Sequence, residues 1–333
     1  MRRSSALLSS VAVVAVLSAT LAGCAASPDD VSACTPLVAD GDTAAIVTAS
    51  GEVGSAPTVE VPAPLVVTAP ERTVLEDGTG LVARAGSIVD FDAAIYDGAT
   101  GSEVLATKFD GSQGPRFRAG LKTADTQETV PSLAASLVCA QAGQRTVLVT
   151  TAGDAGIDFS SVGITDEKHT VVLVIDVQRV YPGKSDGVNQ LPQDGMPVVV
   201  TAPDGTVGVT VPSGIDVPSE DRTETVKLGS GPKLAEGDAA VLQVANWTWP
   251  SDGEVTLKSS TWEVGKTPQT ITLTKEGDTE QGLPATFFEA LEGTPVGSQV
   301  LIVIAPTADS STGDATIYVI DVLGIQSSAD DTK

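Results

Sequence analysis

Cations, histidine and aromatic side chains are all scarce in this chain of 333 residues. Lys and Arg number 19 against 43 Asp and Glu, for a formal net charge of −24. A polyanion of this size repels phosphate backbones and anionic lipid head groups, which excludes nucleic acid as a partner. There is one histidine, His169, so no multi-histidine metal site and no pair of imidazole bases can be built. It precedes an apolar strand run and reads as a surface residue. No nucleotide-cradling glycine loop, zinc-ligand spacing or Ser/His/Asp set occurs, so neither a metal nor another cofactor is expected. Aromatics make up 4% of the residues, so the core must be aliphatic. Val, Ala, Thr and Gly dominate instead, a composition that favours strands. Long apolar runs are also missing. The longest, residues 6–17, is too short to cross a hydrocarbon core of about 30 Å.

That short run is informative in its setting. Arg2 and Arg3 precede it, and Leu21-Ala22-Gly23-Cys24 follow it. The order basic, apolar, small is that of an export signal. The tetrad resembles the bacterial lipobox, whose cysteine is lipid-modified and becomes the first mature residue. The resemblance implies a signal at residues 1–23, a lipid anchor on Cys24 and a tether over residues 24–45. It implies a protein held at the extracytoplasmic face of a bacterial cell membrane. Two further cysteines, Cys34 and Cys139, then remain in an oxidising compartment. A disulfide between them is one reading; two buried thiols is the other.

The chain is duplicated. Val-Thr-Ala-Ser-Gly-Glu-Val-Gly at 47–54 is answered by Val-Thr-Ala-Pro-Asp-Gly-Thr-Val-Gly at 200–208. Arg72-Thr73 is answered by Arg222-Thr223, and the glycines Gly78, Gly80 and Gly86 by Gly229, Gly231 and Gly237. The stretch from Leu137 through Gly143 to Val149 is answered by that from Leu291 through Gly297 to Val303. Asp176 and Asp321 sit in matching apolar strands. Offsets stay near 150 residues throughout, which marks an internal repeat. Residues 183–196, rich in turn formers, read as a linker, and residues 327–333 as a frayed tail.

Within each half, Val/Ile/Thr runs bounded by Gly and Asp predict strands at 88–96, 146–151, 170–180, 239–247, 299–304 and 315–323. One short helix per half is predicted, at 132–137 with Ser132 as N-cap and at 285–291 with Gly293 as the stop. The expected fold class is α+β, with a helix packed on an antiparallel sheet.

In their order, these motifs resemble the FKBP-type peptidyl-prolyl isomerases in a tandem lipoprotein form. The resemblance covers residues 46–182 and 197–326. It rests on the paired glycines with Asp238, on Phe109-Asp110-Gly111-Ser112, on the block from Leu291 to Val300, and on strands ending Val-Ile-Asp-Val. It implies two domains, each a bent antiparallel sheet wrapped around one short helix with a pocket between. Such a pocket favours the twisted prolyl amide and so lowers a barrier of ~18–20 kcal/mol. Carried over residue by residue, Phe109, Asp110, Phe117, Val130 and Leu133 would form the catalytic pocket of the first half. Leu257, Ile271, Leu283 and Phe287 would line that of the second. Ala93 and Ala155 stand where aromatics are expected, and Leu257-Lys258 stand at the Phe-Asp position, so both cages are incomplete. Trp247, Trp249 and Trp262 read as core or edge filling. Asp176 and Asp321 read as structural.

The expected function is peptidyl-prolyl cis-trans isomerisation on proline-containing exported polypeptides, with membrane attachment through Cys24. Two alternatives follow from the missing aromatics. One is a catalytically degenerate binding or chaperone module. The other is a structural envelope protein.

Overall fold

The computed structural model describes residues 31–122, 129–252, 254–277, 283–307 and 312–326. The export signal, Cys24, the start of the tether and the tail 327–333 lie outside the described residues.

The first half contains β1 (Thr48–Ser50), β2 (Thr58–Glu60), β3 (Glu71–Glu76), β4 (Ile88–Asp97), β5 (Glu103–Ala106), β6 (Arg116–Arg118), β7 (Arg145–Thr151) and β8 (Thr170–Tyr181). Its helices are α1 (Asp42–Ala45), α2 (Ser132–Ser136) and α3 (Ala152–Ala155). The second half contains β9 (Val188–Asn189), β10 (Val198–Thr201), β11 (Val207–Thr210), β12 (Arg222–Leu228), β13 (Ala239–Trp249), β14 (Thr256–Ser260), β15 (Gln269–Thr272), β16 (Gln299–Ile304) and β17 (Ala315–Ile325), with the helix α4 (Ala285–Glu289).

The two main sheets share one topology. The first runs β3-β7-β8-β4-β5 with β6 also on β4; the second runs β12-β16-β17-β13-β14 with β15 also on β13, and β9 extends its β12 edge. All these pairings are antiparallel. Register makes the duplication explicit: Asp92 lies opposite Asp176 as Gln243 lies opposite Asp321. Arg145 lies opposite Asp176 as Gln299 lies opposite Asp321.

The α+β expectation, one sheet wrapped around one helix, is overturned. The described residues are β-rich and form four sheets. Among them the α-helices number four and are only four or five residues long, three in the first half and one in the second. The physical reason lies in the strands. β8 is buried over its first eight residues and β4 over its first nine, so both faces of the sheet need apolar cover, and a single helical turn can shield part of one face. The face carrying Val89, Phe91, Ala93 and Ile95 packs on α2 and on Phe159. The opposite face, carrying Ala94, Tyr96, Val147, Val149, Val172 and Val174, packs on Leu65, Val67 and the β1–β2 hairpin. In the second half, Phe287, Phe288 and Leu291 cover one face, while Met196, Val207 and the β10–β11 hairpin cover the other. The tryptophans belong to this last cluster: Trp247 and Trp249 are buried, and Trp262 packs against them.

Buried polar groups tie hairpin to sheet. Arg145 forms a bidentate pair with Asp176 at 2.7 and 2.6 Å, and donates to the carbonyls of Gly51 and Glu52 in the hairpin turn. The Gly54 amide returns a bond to Asp176 at 2.8 Å. In the second half Asp321 accepts from the Ser185 amide at 2.9 Å and from Gln299 at 2.8 Å, with no cation in Arg145's place. Both aspartates are structural anchors.

Cys34 and Cys139 are disulfide-bonded across a sequence separation of 105, with Cα atoms 5.7 Å apart. Cys139 holds a left-handed φ of 72°, as does Gly293 with 76° at the matching place after α4. The N-cap of α2 is Pro131, not Ser132; the Ser132 hydroxyl instead bonds Thr150 at 2.8 Å.

The halves meet directly. Ile88, Tyr181, Val241 and Leu323 form a cluster spanning both. Gly324 faces the Tyr181 ring so closely that a Cβ there would stand 2.5 Å from it, so the interface requires glycine at that position. Among the described residues no helix is long and apolar enough to cross a membrane.

Candidate functional site

The residues singled out in the first half divide between the two faces of its sheet. Phe117 is on β6 opposite Val89 and stacks at a tilt on Phe91, with ring centroids 5.5 Å apart. Val130 and Leu133 join the same α2-face core. Leu133 is fully buried, so it supports the site from beneath. Phe109 instead lies in the hairpin-face core with Tyr96 and Val147, at a left-handed φ of 49°. Asp110 is exposed, and its carboxylate accepts from the Ser112 amide at 3.0 Å in a local turn, the usual Asp chemistry of such a turn. The structure therefore brings Phe117, Val130 and Leu133 together and leaves Phe109 and Asp110 elsewhere.

Phe91 and Phe159, which the family motifs do not mark, belong to the same apolar core. Phe91 had a legible signal, since it alternates with Val89 and Ala93 along β4. Phe159 lies in a loop and carried none.

A cavity of about 360 Å³ opens beside Phe117, between Arg116, Arg118, Leu121, Lys122, Ala134 and Gly156 of the first half and Gly265, Lys266 and Thr267 of the second. Local chemistry explains its shape. Ala134, in the first turn of α2, presents only a methyl group. Gly156 ends α3 at a φ of 79° and passes so close to Pro131 that a Cβ would collide with its ring. The second half closes the cavity through arginine. Arg116 is paired with buried Asp90 at 2.6 and 2.8 Å and donates to the Pro268 carbonyl and the Thr270 hydroxyl. Arg118 donates to the carbonyls of Lys266 at 3.0 Å and Thr261 at 2.7 Å. Burial lowers its pKa to about 10, so it remains a cation at neutral pH.

Pro284 caps α4 as Pro131 caps α2, but α4 carries the rings of Phe287 and Phe288 where α2 carries Leu133, Ala134 and Ala135. The second half shows a much smaller cavity, about 20 Å³, beside Phe288, Leu273 and Lys275. Phe287 packs edge-on against Phe288 at 5.5 Å and against Tyr318 at 5.4 Å. Ile271, opposite Ala240 as Phe117 is opposite Val89, and Leu283 join this core. Leu257 does not. It is 50% exposed on the edge strand β14. Matching hydrogen bonds, Thr107 to Ala93 and Thr261 to Val244, equate Thr107 with Thr261. Glu263 and Val264, not Leu257 and Lys258, thus follow where Phe109 and Asp110 do.

His169 is half-buried and pairs with Asp97 at 2.7 Å, at the end of β4 away from β6. It takes no part in the cavity. Among the described residues no group of three or more His, Cys, Asp or Glu could hold a metal ion. The cavity thus offers the aromatic face of Phe117 and four cationic side chains, two of them, Arg116 and Arg118, fixed by hydrogen bonds. That equipment suits non-covalent capture of a partly apolar segment.

No family model matches the chain, and no curated protein does. Solved structures similar to it include the three FKBP domains of wheat FKBP73 (14% identity, 77% of this chain and 94% of that one, TM-score 0.31). The N-terminal domain of FKBP42 from Arabidopsis thaliana is similar at 13% identity over 39% of this chain and 98% of that one, TM-score 0.29. A multi-domain immunophilin from Arabidopsis thaliana is similar at 12% identity, covering 44% of this chain and 51% of that one, TM-score 0.29. At these TM-scores the likeness does not define the fold.

Proposed function

We propose that this protein is an FKBP-like module that captures proline-bearing segments of exported polypeptides at the outer face of the cell membrane, held there by lipid on Cys24. Binding takes place in the first half, in the cavity beside Phe117, while the second half serves as scaffold and wall. The observation that carries this reading is the contrast between α2, whose Ala134 lines a cavity of about 360 Å³, and α4, whose rings Phe287 and Phe288 leave one of only about 20 Å³. A pyrrolidine ring against Phe117 gains apolar contact with an aromatic face, and no covalent step is required.

Isomerisation in the same cavity is the second reading, favoured by the ring of Phe117, which Phe91 backs from the core. Twisting a prolyl amide weakens its resonance and reduces the charge on its carbonyl, so a water-poor aromatic wall favours the twisted form. Dispersal of Phe109 and Asp110 removes two groups this catalysis was expected to use. Each lost aromatic contact of ~1–2 kcal/mol corresponds to roughly one decade in rate, so turnover is expected to be slow.

Both readings are tested together by titrating a fluorescent prolyl peptide into the protein and following cis-trans exchange of the same peptide by NMR. Binding is expected, with exchange little above the thermal rate. Ala134→Phe, which copies the second half, should abolish binding while the protein stays folded by circular dichroism. Undiminished binding by that variant would remove the cavity from the function. Exchange far above the thermal rate would promote the isomerase reading.

A further inference from the structure

The charge lining this cavity runs against that of the chain as a whole. Acids outnumber bases 43 to 19 in the sequence, yet among the described residues four bases and no acid line the cavity: Arg116, Arg118, Lys122 and Lys266. Asp90 neutralises Arg116. Arg118, Lys122 and Lys266 form no ion pair among the described residues. Arg118 is held by two backbone carbonyls, which fix its position without a carboxylate partner among the described residues. Burial disfavours such a charge and lowers the pKa of Arg118. A ligand carboxylate would relieve that cost.

A second cavity of about 470 Å³ adjoins the first at Gly156 and is lined by Asp158, Asp166 and Glu167 along with Ile157 and Phe159. A run of acidic residues reaching across Gly156 would therefore meet repulsion. A single acidic residue beside the proline would not.

We propose that the cavity selects prolyl segments bearing one acidic residue next to the proline, whose carboxylate is received by Arg118, Lys122 and Lys266. Loop 265–267 of the second half thereby becomes a specificity element for the first. This inference rests on the reading of the cavity as a prolyl-segment site.

The test is fluorescence anisotropy on the full chain with four labelled peptides that share a Pro-Phe core. Three place Glu, Ala or Lys before the proline, and the fourth places a run of four Glu there. Each is titrated at about 0.02 M and about 0.3 M salt, either side of the ionic strength at which the Debye length is ~10 Å. The single-Glu peptide is expected to bind about tenfold more tightly than the Lys peptide at low salt, with the gap closing at high salt, as for exposed charge pairs. The tetra-Glu peptide should bind more weakly than the single-Glu peptide. Lys122→Gln combined with Lys266→Gln, two exposed positions whose loss leaves the fold intact, should remove most of the preference while binding of the Ala peptide persists. Equal affinities for Glu, Ala and Lys peptides would overturn this inference and leave the proposed function standing. No binding by any peptide would overturn both.

Discussion

Two halves built on one topology have been turned to different ends, and a few side chains mark the divergence. After the capping prolines Pro131 and Pro284, the first helix carries Leu133, Ala134 and Ala135 where the second carries Phe287 and Phe288. Ala134 lines a cavity that opens beside Phe117; in the second half Phe287 packs on Tyr318 and the cavity beside Phe288 is far smaller. Beneath the opposite face the first half buries an Arg145–Asp176 pair, whereas the second carries Gln299 and Asp321. One half has kept a pocket and stabilised its hairpin with charge. The other has given up the pocket for aromatic packing. Duplication allows this because each sheet needs only one covered arrangement on each face to fold, and the two copies reached it by different side chains.

The comparison breaks most sharply at Phe287. Phe287→Ala removes a fully buried ring and should cost about 3–5 kcal/mol. All three tryptophans, Trp247, Trp249 and Trp262, lie in the second half, so the loss is read as a fall in the urea midpoint of tryptophan fluorescence. An unchanged midpoint would show that the ring is not what packs α4 to its sheet. Next in size is Arg145→Gln, which gives the first half the second half's arrangement. Asp176 would be left buried without its cation, and a cost of about 3 kcal/mol is expected for a broken buried pair. Far-UV circular dichroism during urea unfolding measures it, and a cost below about 1 kcal/mol would show that Gln serves as well there as it does beside Asp321.

The smallest effect sharpens the contrast through pH. Burial raises the pKa of Asp321, against the opposing pull of its bonds from Ser185 and Gln299. The folded state therefore binds this proton more tightly than the unfolded chain, where an aspartate titrates near ~3.9. Its contribution to stability is fully present below that unfolded value and is lost as pH rises through the higher folded value. Asp321→Asn keeps an acceptor and removes the titration. The variant's fluorescence-detected stability should fall less between pH 4 and pH 8 than the parent's. An identical fall in both would place the pH dependence elsewhere, with buried Glu224, whose pKa burial also raises, as the next group to test.

Much of the fold was legible in the residues. The strand at 299–304 coincides with β16, and those at 88–96 and 170–180 fall one residue short of β4 and β8, because Val/Ile/Thr runs between Gly and Asp turns carry a strong strand signal. The helices at α2 and α4 were legible from Pro, small residues and the Gly293 stop. The fold class was not. Counting one helix per half from the sequence said nothing of the β1–β2 and β10–β11 hairpins, whose short strands alternate weakly and whose role is to cover a second sheet face. The motif order placed Phe109 and Asp110 beside Phe117, and they are not there. Between β5 and β6 the chain turns irregularly, and period-two alternation does not survive such a turn.

The sequence by itself determined that this chain is a duplicated, strand-rich, acidic protein, and it placed most of its strands. These follow from local propensity, periodicity and composition, which act over a few residues. Only the tertiary structure decided which face each aromatic serves, that Phe287 packs on Tyr318 while Ala134 lines a cavity, and that loop 265–267 completes that cavity with residues from the first half. Those outcomes depend on packing between distant segments, where a single side-chain volume or one left-handed residue redirects the chain.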